Sequence, residues 1–235
     1  MSKAKLYMIP SPMGESDPKS IFPDNNWKQI THIKYFIVEN IRTARRFLKL
    51  MDKNIVIDDL HFEVLDKRTK YNEFSNFLAP IKKGFDIGVI SEAGCPGVAD
   101  PGAEIALLAH QNDIDIIPLV GPSSILIAQM ASGLNGQSFA FNGYLPIKGS
   151  APIKELQKFE NRSRQENQSQ IFIEAPYRNM QLLETMLKVL SPQTKLCIAT
   201  GLTTQEEYIK TKTIKQWKGK LPSIHKIPTI FIFLA

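Results

Sequence analysis

The sequence predicts an α/β protein of two lobes, with a mostly parallel sheet and flanking helices in the N-terminal lobe and a mixed sheet in the C-terminal lobe. Short β-branched and aromatic runs alternate with amphipathic stretches of helical length through the first half, the pattern of βαβ units. Gly121-Pro122-Ser123-Ser124 then breaks that rhythm. Beyond it strand-like runs follow one another with only two clear helices between them, which suits antiparallel hairpins. The expected lobes are residues 1–120 and 121–235.

Taken in order, Leu6–Ile9 is an apolar strand ending at a Pro-Ser-Pro-Met-Gly turn, and Tyr35–Val38 is a second strand, ending at Glu39. From Arg42 to Met51, Ala44, Phe47, Leu48 and Met51 recur at helical spacing. Ile55–Ile57 is a further strand candidate, and residues 73–81 read as a helix carrying Phe74, Phe77, Leu78 and Ile81, with Gly84 as its stop. Ile87–Ile90, a helix from Ala103 to Gln111 and Ile114–Leu119 complete the first half, and Ser123 or Ser124 caps a helix over Ile125–Ala131. In the second half Phe139–Tyr144, Gln170–Glu174, Lys195–Thr200, Glu207–Thr213 and Thr229–Leu234 read as strands. Ile153–Arg164 and Asn179–Leu190 read as the helices, and the polar stretch Asn161–Ser169 as a loop.

Composition narrows the function classes. No apolar run approaches the ~20 residues that span a bilayer, and Pro10 and Pro12 interrupt any signal-peptide core, so a cytoplasmic protein without a membrane partner is expected. Cys95 and Cys197 are far apart, and the four histidines have no partner three or four residues away, so neither a disulfide framework nor a metal site is expected. The net charge of +6 leans toward a polyanionic partner. Between Glu206 and Lys226 six lysines face two glutamates, which a solvated hairpin explains equally well.

The most informative segment runs from Val89 to Gly102: a buried strand, then small residues, three glycines and two prolines, then Asp100 ahead of a helix. Glycines allow a ligand close to the backbone, and prolines hold the loop's shape. A loop at the carboxyl end of a parallel strand is where open α/β sheets bind ligands. The spacing matches neither the dinucleotide nor the P-loop fingerprint. A small-molecule loop is therefore expected, with a structural turn and capped helix as the competing reading.

The same segment, Ser91-Glu92-Ala93-Gly94-Cys95-Pro96 through Ala99-Asp100-Pro101-Gly102, resembles the cofactor loop of the RsmI-like branch of the tetrapyrrole methylase superfamily. Five more segments resemble that branch in the same order: Tyr7–Gly14, Val38–Thr43, Pro118–Ser124 with Ala131–Leu134, Phe141–Pro146, and Glu174–Arg178. The resemblance implies two lobes with S-adenosyl-L-methionine folded in the cleft between them, in a homodimer. It also implies methylation of a ribose 2′-hydroxyl in small-subunit ribosomal RNA. Mapped residue by residue, it implies cofactor contacts from Pro10, Glu92, Ala93, Gly94, Val98, Ala99, Asp100, Ser123, Ser124, Glu174, Ala175, Thr200, Pro228 and Thr229.

A sulfonium methyl is already activated, so the protein mainly positions it. A sugar hydroxyl needs a base, and Glu39 is the candidate, with Arg42 to hold a phosphate or orient the acid. A structural Glu–Arg contact at a helix start is the competing account. Asn40 stands where the branch has Asp and Ile41 where it has Thr, while Arg42 and Thr43 remain. The branch's His-Asn-Glu element has only an imperfect counterpart in Asp59–Glu63, where His61 can substitute, and the C-terminal extension of longer relatives is missing. Two other functions stay open: methylation of a tetrapyrrole or corrin precursor, or a weakened cofactor-binding protein acting through RNA contact.

Overall fold

The computed structural model describes residues 3–65, 69, 74–146, 149, 151–219 and 221–235, and the chain divides into two compact units, Met1–Ser123 and Ser124–Ala235. Unit 1 runs β1 (Leu6–Ile9), α1 (Pro18–Ile21), α2 (Asn25–Ile30), β2 (Tyr35–Val38), α3 (Ile41–Met51), β3 (His61–Val64), α4 (Phe74–Phe77), α5 (Ala79–Lys82), β4 (Ile87–Ile90), α6 (Gly102–Gln111) and β5 (Ile116–Pro118). Its five strands lie in the order β3-β2-β4-β1-β5, every pair parallel.

Side-chain alternation along these strands builds a core on each face. Leu6 and Met8 of β1, Ile37 of β2 and Ile87 and Val89 of β4 point to one side, where Ile105 and Ala109 of α6 cover them. Ile9, Phe36, Val38 and Ile90 point to the other, under Ala44, Phe47 and Leu48 of α3. A strand buried on both faces reads as a continuous apolar run, and β4 is buried at all four positions. Its Gly88 answers a packing need: a Cβ there would lie 2.6 Å from Ile9 Cδ1 and 2.9 Å from the Phe36 ring.

Unit 2 runs α7 (Ser124–Ser132), β6 (Phe139–Phe141), α8 (Ala151–Glu166), β7 (Ser169–Ile173), α9 (Asn179–Val189), β8 (Lys195–Thr200), β9 (Tyr208–Thr213), α10 (Ile214–Trp217) and β10 (Thr229–Leu234). The order is β6-β7-β10-β8-β9, with β6 and β7 parallel and the remaining pairs antiparallel. This is the mixed sheet the sequence predicts. Phe172, Phe231, Phe233, Leu196 and Ile198 pack with Leu183 and Met186 of α9, Leu156 of α8 and the fully buried Trp217. The Trp217 indole donates to Leu196 O at 2.8 Å, so the buried N–H is satisfied.

Several elements differ from their sequence expectation. Ile55–Ile57 is not a strand. Ile57–Asp59 forms a 3-10 turn, and the strand begins at His61, where pairing with Tyr35 of β2 sets the register. Asn161–Ser169 is not a loop, since α8 continues to Glu166. Two buried polar groups hold that helix. Glu160 Oε1 accepts from Ser191 N at 2.7 Å and from the Thr194 hydroxyl, and Ser163 Oγ accepts from Ala235 N at 3.0 Å. The expected helix over residues 73–81 is two short ones, with Pro80 in the first turn of α5, where a missing N–H costs nothing. Glu73 lies outside the described residues. No helix among the described residues is long and apolar enough to cross a membrane.

Candidate active site

Parallel strands in register end at one edge, and in unit 1 that edge gathers the candidate residues. Ile9 and Val38 both align with Ile90, so Pro10, Glu39 and Ser91 leave the sheet at the same level. The loops after β1 and β4 are joined there. Ser11 and Gly94 exchange backbone hydrogen bonds of 3.0 and 3.1 Å. Ser11 Oγ donates to Ser91 O and Ser91 Oγ donates to Gly94 O, each at 2.7 Å and buried. The segment after β5 closes on the same spot. A Cβ on Gly121 would stand 2.3 Å from Pro10 Cβ, so only glycine lets the chain lie on that proline.

The β4 loop is stiff. Asp100 Oδ1 accepts from Gly97 N at 2.6 Å and Gly102 N at 2.8 Å. Burial pushes the Asp100 carboxyl above its ordinary value, the two backbone amides pull it back, and Glu104 adds a smaller upward push. Burial, then the charge of Asp100, raises the Cys95 thiol, which sits 3.3 Å from Pro122 O. It is thus a neutral donor rather than a thiolate nucleophile. Gly94, Gly97 and Ala99 all have positive φ, 76°, 79° and 63°. For Ala99 that conformation is strained, as at many ligand-holding turns. Ala93, Val98 and Ala99 are exposed and small, so a ligand can reach the main chain along this stretch.

Glu39 and Glu92 meet at the same edge. Glu92 N donates to Glu39 Oε1 at 3.3 Å, and the Thr43 hydroxyl donates to Glu92 Oε1. Asn40 caps α3, its Oδ1 accepting from Arg42 N at 2.9 Å and Thr43 N at 3.5 Å. Arg42 is exposed in the first turn of the helix. A hollow of about 400 Å³ opens beside these groups, between the β1 loop and α3, and Thr43, Arg46, Leu50 and Glu92 are among its lining residues. Sequence reasoning placed Ser11, Thr43 and Ser91 in motifs without giving them a role, and did not single out Arg46. Serines in a turn and arginines on a helix carry no local signal of their own. His61 lies elsewhere, at the start of β3, stacked 4.8 Å from the Tyr35 ring at the opposite end of that strand pair.

Ser123 is the last residue of unit 1, and Ser124 opens α7 in unit 2. In unit 2 the remaining candidates share one end of the sheet. Thr229 pairs with Thr200, and their hydroxyls are 2.9 Å apart. Glu174 follows β7, which neighbours β10 with Ile173 opposite Ile230. Glu174 Oε1 accepts from Ala175 N at 2.7 Å and Arg178 Nε at 3.0 Å. Asn179, not anticipated, donates through Nδ2 to Ile227 O at 2.6 Å and to the Thr229 hydroxyl at 3.1 Å. Its buried Oδ1 has no partner among the described residues. A buried acceptor without a partner costs about 1–3 kcal/mol, so this atom suits a ligand donor beside Thr200, Pro228 and Thr229.

No family model matches the chain. The ribosomal RNA small subunit methyltransferase I of Buchnera aphidicola subsp. Baizongia pistaciae is 27% identical over 88% of this chain and 67% of its own length. The protein of the same name from Vibrio cholerae is 27% identical over 87% of this chain and 67% of its own length. Among solved structures, the methyltransferase CobJ superposes with a TM-score of 0.65 at 16% identity, covering 98% of this chain and 94% of that one. By sequence the chain is a homologue of the bacterial ribosomal RNA small subunit methyltransferase I proteins, and its two α/β units have the fold of the methyltransferase CobJ.

Proposed function

We propose that this protein is an S-adenosylmethionine-dependent methyltransferase that modifies a ribose 2′-hydroxyl in small-subunit ribosomal RNA. The observation that carries the reading is the likeness, along nearly nine tenths of the chain, to proteins named as ribosomal RNA small subunit methyltransferases, and the ribose 2′-hydroxyl is what the motif resemblance implies. The bonded loops at the strand ends of unit 1 supply a site for the chemistry. The residues present suit the cofactor. Ala93, Val98 and Ala99 are exposed and leave room for an amino-acid moiety beside the loop, and Asn179 Oδ1, without a partner among the described residues, offers an acceptor. Pro10, Glu92, Gly94, Asp100, Ser123, Ser124, Glu174, Ala175, Thr200, Pro228 and Thr229 remain the further proposed contacts, with Asp100 also holding the loop's shape.

S-adenosylmethionine supplies a methyl group already activated by the sulfonium. The protein's own share is to hold the ribose and take its proton. Glu39 is the proposed base: it is half-buried, and the amide of Glu92 fixes one of its oxygens. Arg42, exposed at the start of α3, is the proposed partner for the substrate's phosphate. Asn40 does not weaken this arrangement, because its oxygen caps α3 as a carboxylate would. A ribosomal substrate places the protein in the cytoplasm, and a homodimer is the assembly we propose.

The test is methyl transfer from labelled S-adenosylmethionine to small ribosomal subunits from a strain deleted for this gene. Glu39→Gln keeps the oxygen that accepts from Glu92 N and removes the base, so the rate should fall about 10²–10⁴-fold. Arg42→Ala should weaken subunit binding. If the protein binds cofactor yet labels no RNA, the ribosomal assignment is wrong, and tetrapyrrole precursors are the substrates to try next.

A further inference from the structure

The hollow between the β1 loop and α3 shares Glu92 and Ala93 with the proposed cofactor contacts, but its α3 wall has a chemistry that the methyl-transfer reading leaves unused. Helix α3 reads Ile-Arg-Thr-Ala-Arg-Arg-Phe-Leu-Lys-Leu-Met, with four cations and no acid. Two of the four cations have structural work. Arg45 stacks 5.5 Å over the Phe62 ring, and Lys49 Nζ donates to Lys53 O and Ile55 O, both at 2.8 Å. Arg42 and Arg46 are exposed, and among the described residues neither forms an ion pair. They lie at i and i+4, on one face of the helix. Arg46 borders the hollow, whose volume of about 400 Å³ falls in the ordinary range for a bound small ligand.

The walls are mixed in a way that fits a nucleotide. Pro12, Met13 and the half-exposed Leu50 supply apolar surface, while Thr43 and Glu92 supply a hydroxyl and a carboxylate. Single-stranded nucleic acid is held where a cationic edge follows the backbone and an apolar surface receives a base or sugar face. An unpaired guanidinium facing such a hollow is a seat for a phosphate, because its planar fork matches two phosphate oxygens at once.

Building on the ribosomal RNA reading, we infer that Arg46 binds a backbone phosphate of the RNA substrate and that the hollow beside it receives an adjoining nucleotide, so that α3 is the substrate-binding helix of unit 1.

The experiment measures kcat/KM for small subunits lacking the modification, over a range of potassium chloride concentrations, for wild type, Arg46→Ala, Arg46→Lys and Leu50→Glu. Cofactor affinity and melting temperature are measured beside it. Each phosphate contact contributes about 0.7 to 1 to the slope of log affinity against log salt. Arg46→Ala should therefore lose roughly one unit of slope in kcat/KM. Arg46→Lys should keep most of it, and Leu50→Glu should lower kcat/KM by repelling the backbone. Cofactor affinity and melting temperature should not move, since both side chains are exposed. If wild type methylates subunits and Arg46→Ala has the wild-type slope and KM, the inference is overturned while the ribosomal reading stands. If wild type binds cofactor but neither methylates nor binds subunits, the reading itself is wrong and takes the inference with it.

Discussion

Asp100 has two demands on one carboxylate. Its Oδ1 ties Gly97 and Gly102 into a loop, yet burial there penalises the charge and raises its pKa. The unfolded chain loses this proton near the ordinary value of 3.8, while the folded protein keeps it to higher pH. Fewer protons are then bound to the unfolded state, so the stability Asp100 contributes falls as pH rises from 3.8 through the raised value, and then levels off. Asp100→Asn keeps an oxygen for both amides and removes the titration. Urea midpoints measured from about pH 3.5 to about pH 6 should show wild type losing stability relative to the variant as pH rises. Parallel curves would show that the carboxyl is not perturbed. The loop's small residues were legible in the sequence; the two-amide grip on Asp100 was not, because it needs the backbone of Gly97 turned back on itself.

At the scale of elements, α3 links sequence pattern to site. Its apolar positions Ala44, Phe47 and Leu48 face the core, and the same spacing leaves Arg42 and Arg46 outside. The helix starts at Asn40, whose side chain accepts from two of the orphan N–H groups of the first turn. Asn40→Ala should cost about 1 kcal/mol, within a range of roughly 0.5–2, in urea unfolding, and Asn40→Asp should stay within a few tenths. A full loss in both variants would mean that the amide nitrogen matters and the cap account fails. Elements fixed by local pattern were readable: β1, β2, β4, α3 and α6 fall where apolar spacing places them. The errors fall where distant partners decide. β3 begins at His61 because Tyr35 pairs with it, and α8 runs to Glu166 because Glu160 and Ser163 are satisfied by Ser191, Thr194 and Ala235.

For the molecule as a whole, each unit carries its own core and one of the two tryptophans. Trp27 packs 6.2 Å from Phe47 in unit 1, and Trp217 is fully buried in unit 2. The two indoles therefore report the units separately when one is replaced by phenylalanine. A ligand that binds only the folded state stabilises it by about 2.7 kcal/mol at a hundredfold excess over its Kd. S-adenosylmethionine at that level should raise the melting temperature, and the shift should appear in the fluorescence of each single-tryptophan protein. A shift confined to one unit would show that the proposed contacts in the other do not form.

The sequence by itself determined the fold class, because sidedness and strand length follow from local spacing of apolar residues. It also determined the Glu92–Asp100 loop, because the density of glycine and proline there is a property of the chain alone. Tertiary structure decided the rest. Only the parallel register of β1, β2 and β4 sets Pro10, Glu39 and Ser91 at one level. Only that closeness lets Ser11 bond Gly94 and Thr43 reach Glu92. Residues about fifty to eighty positions apart meet through backbone pairing, and no spacing along a single chain encodes that distance.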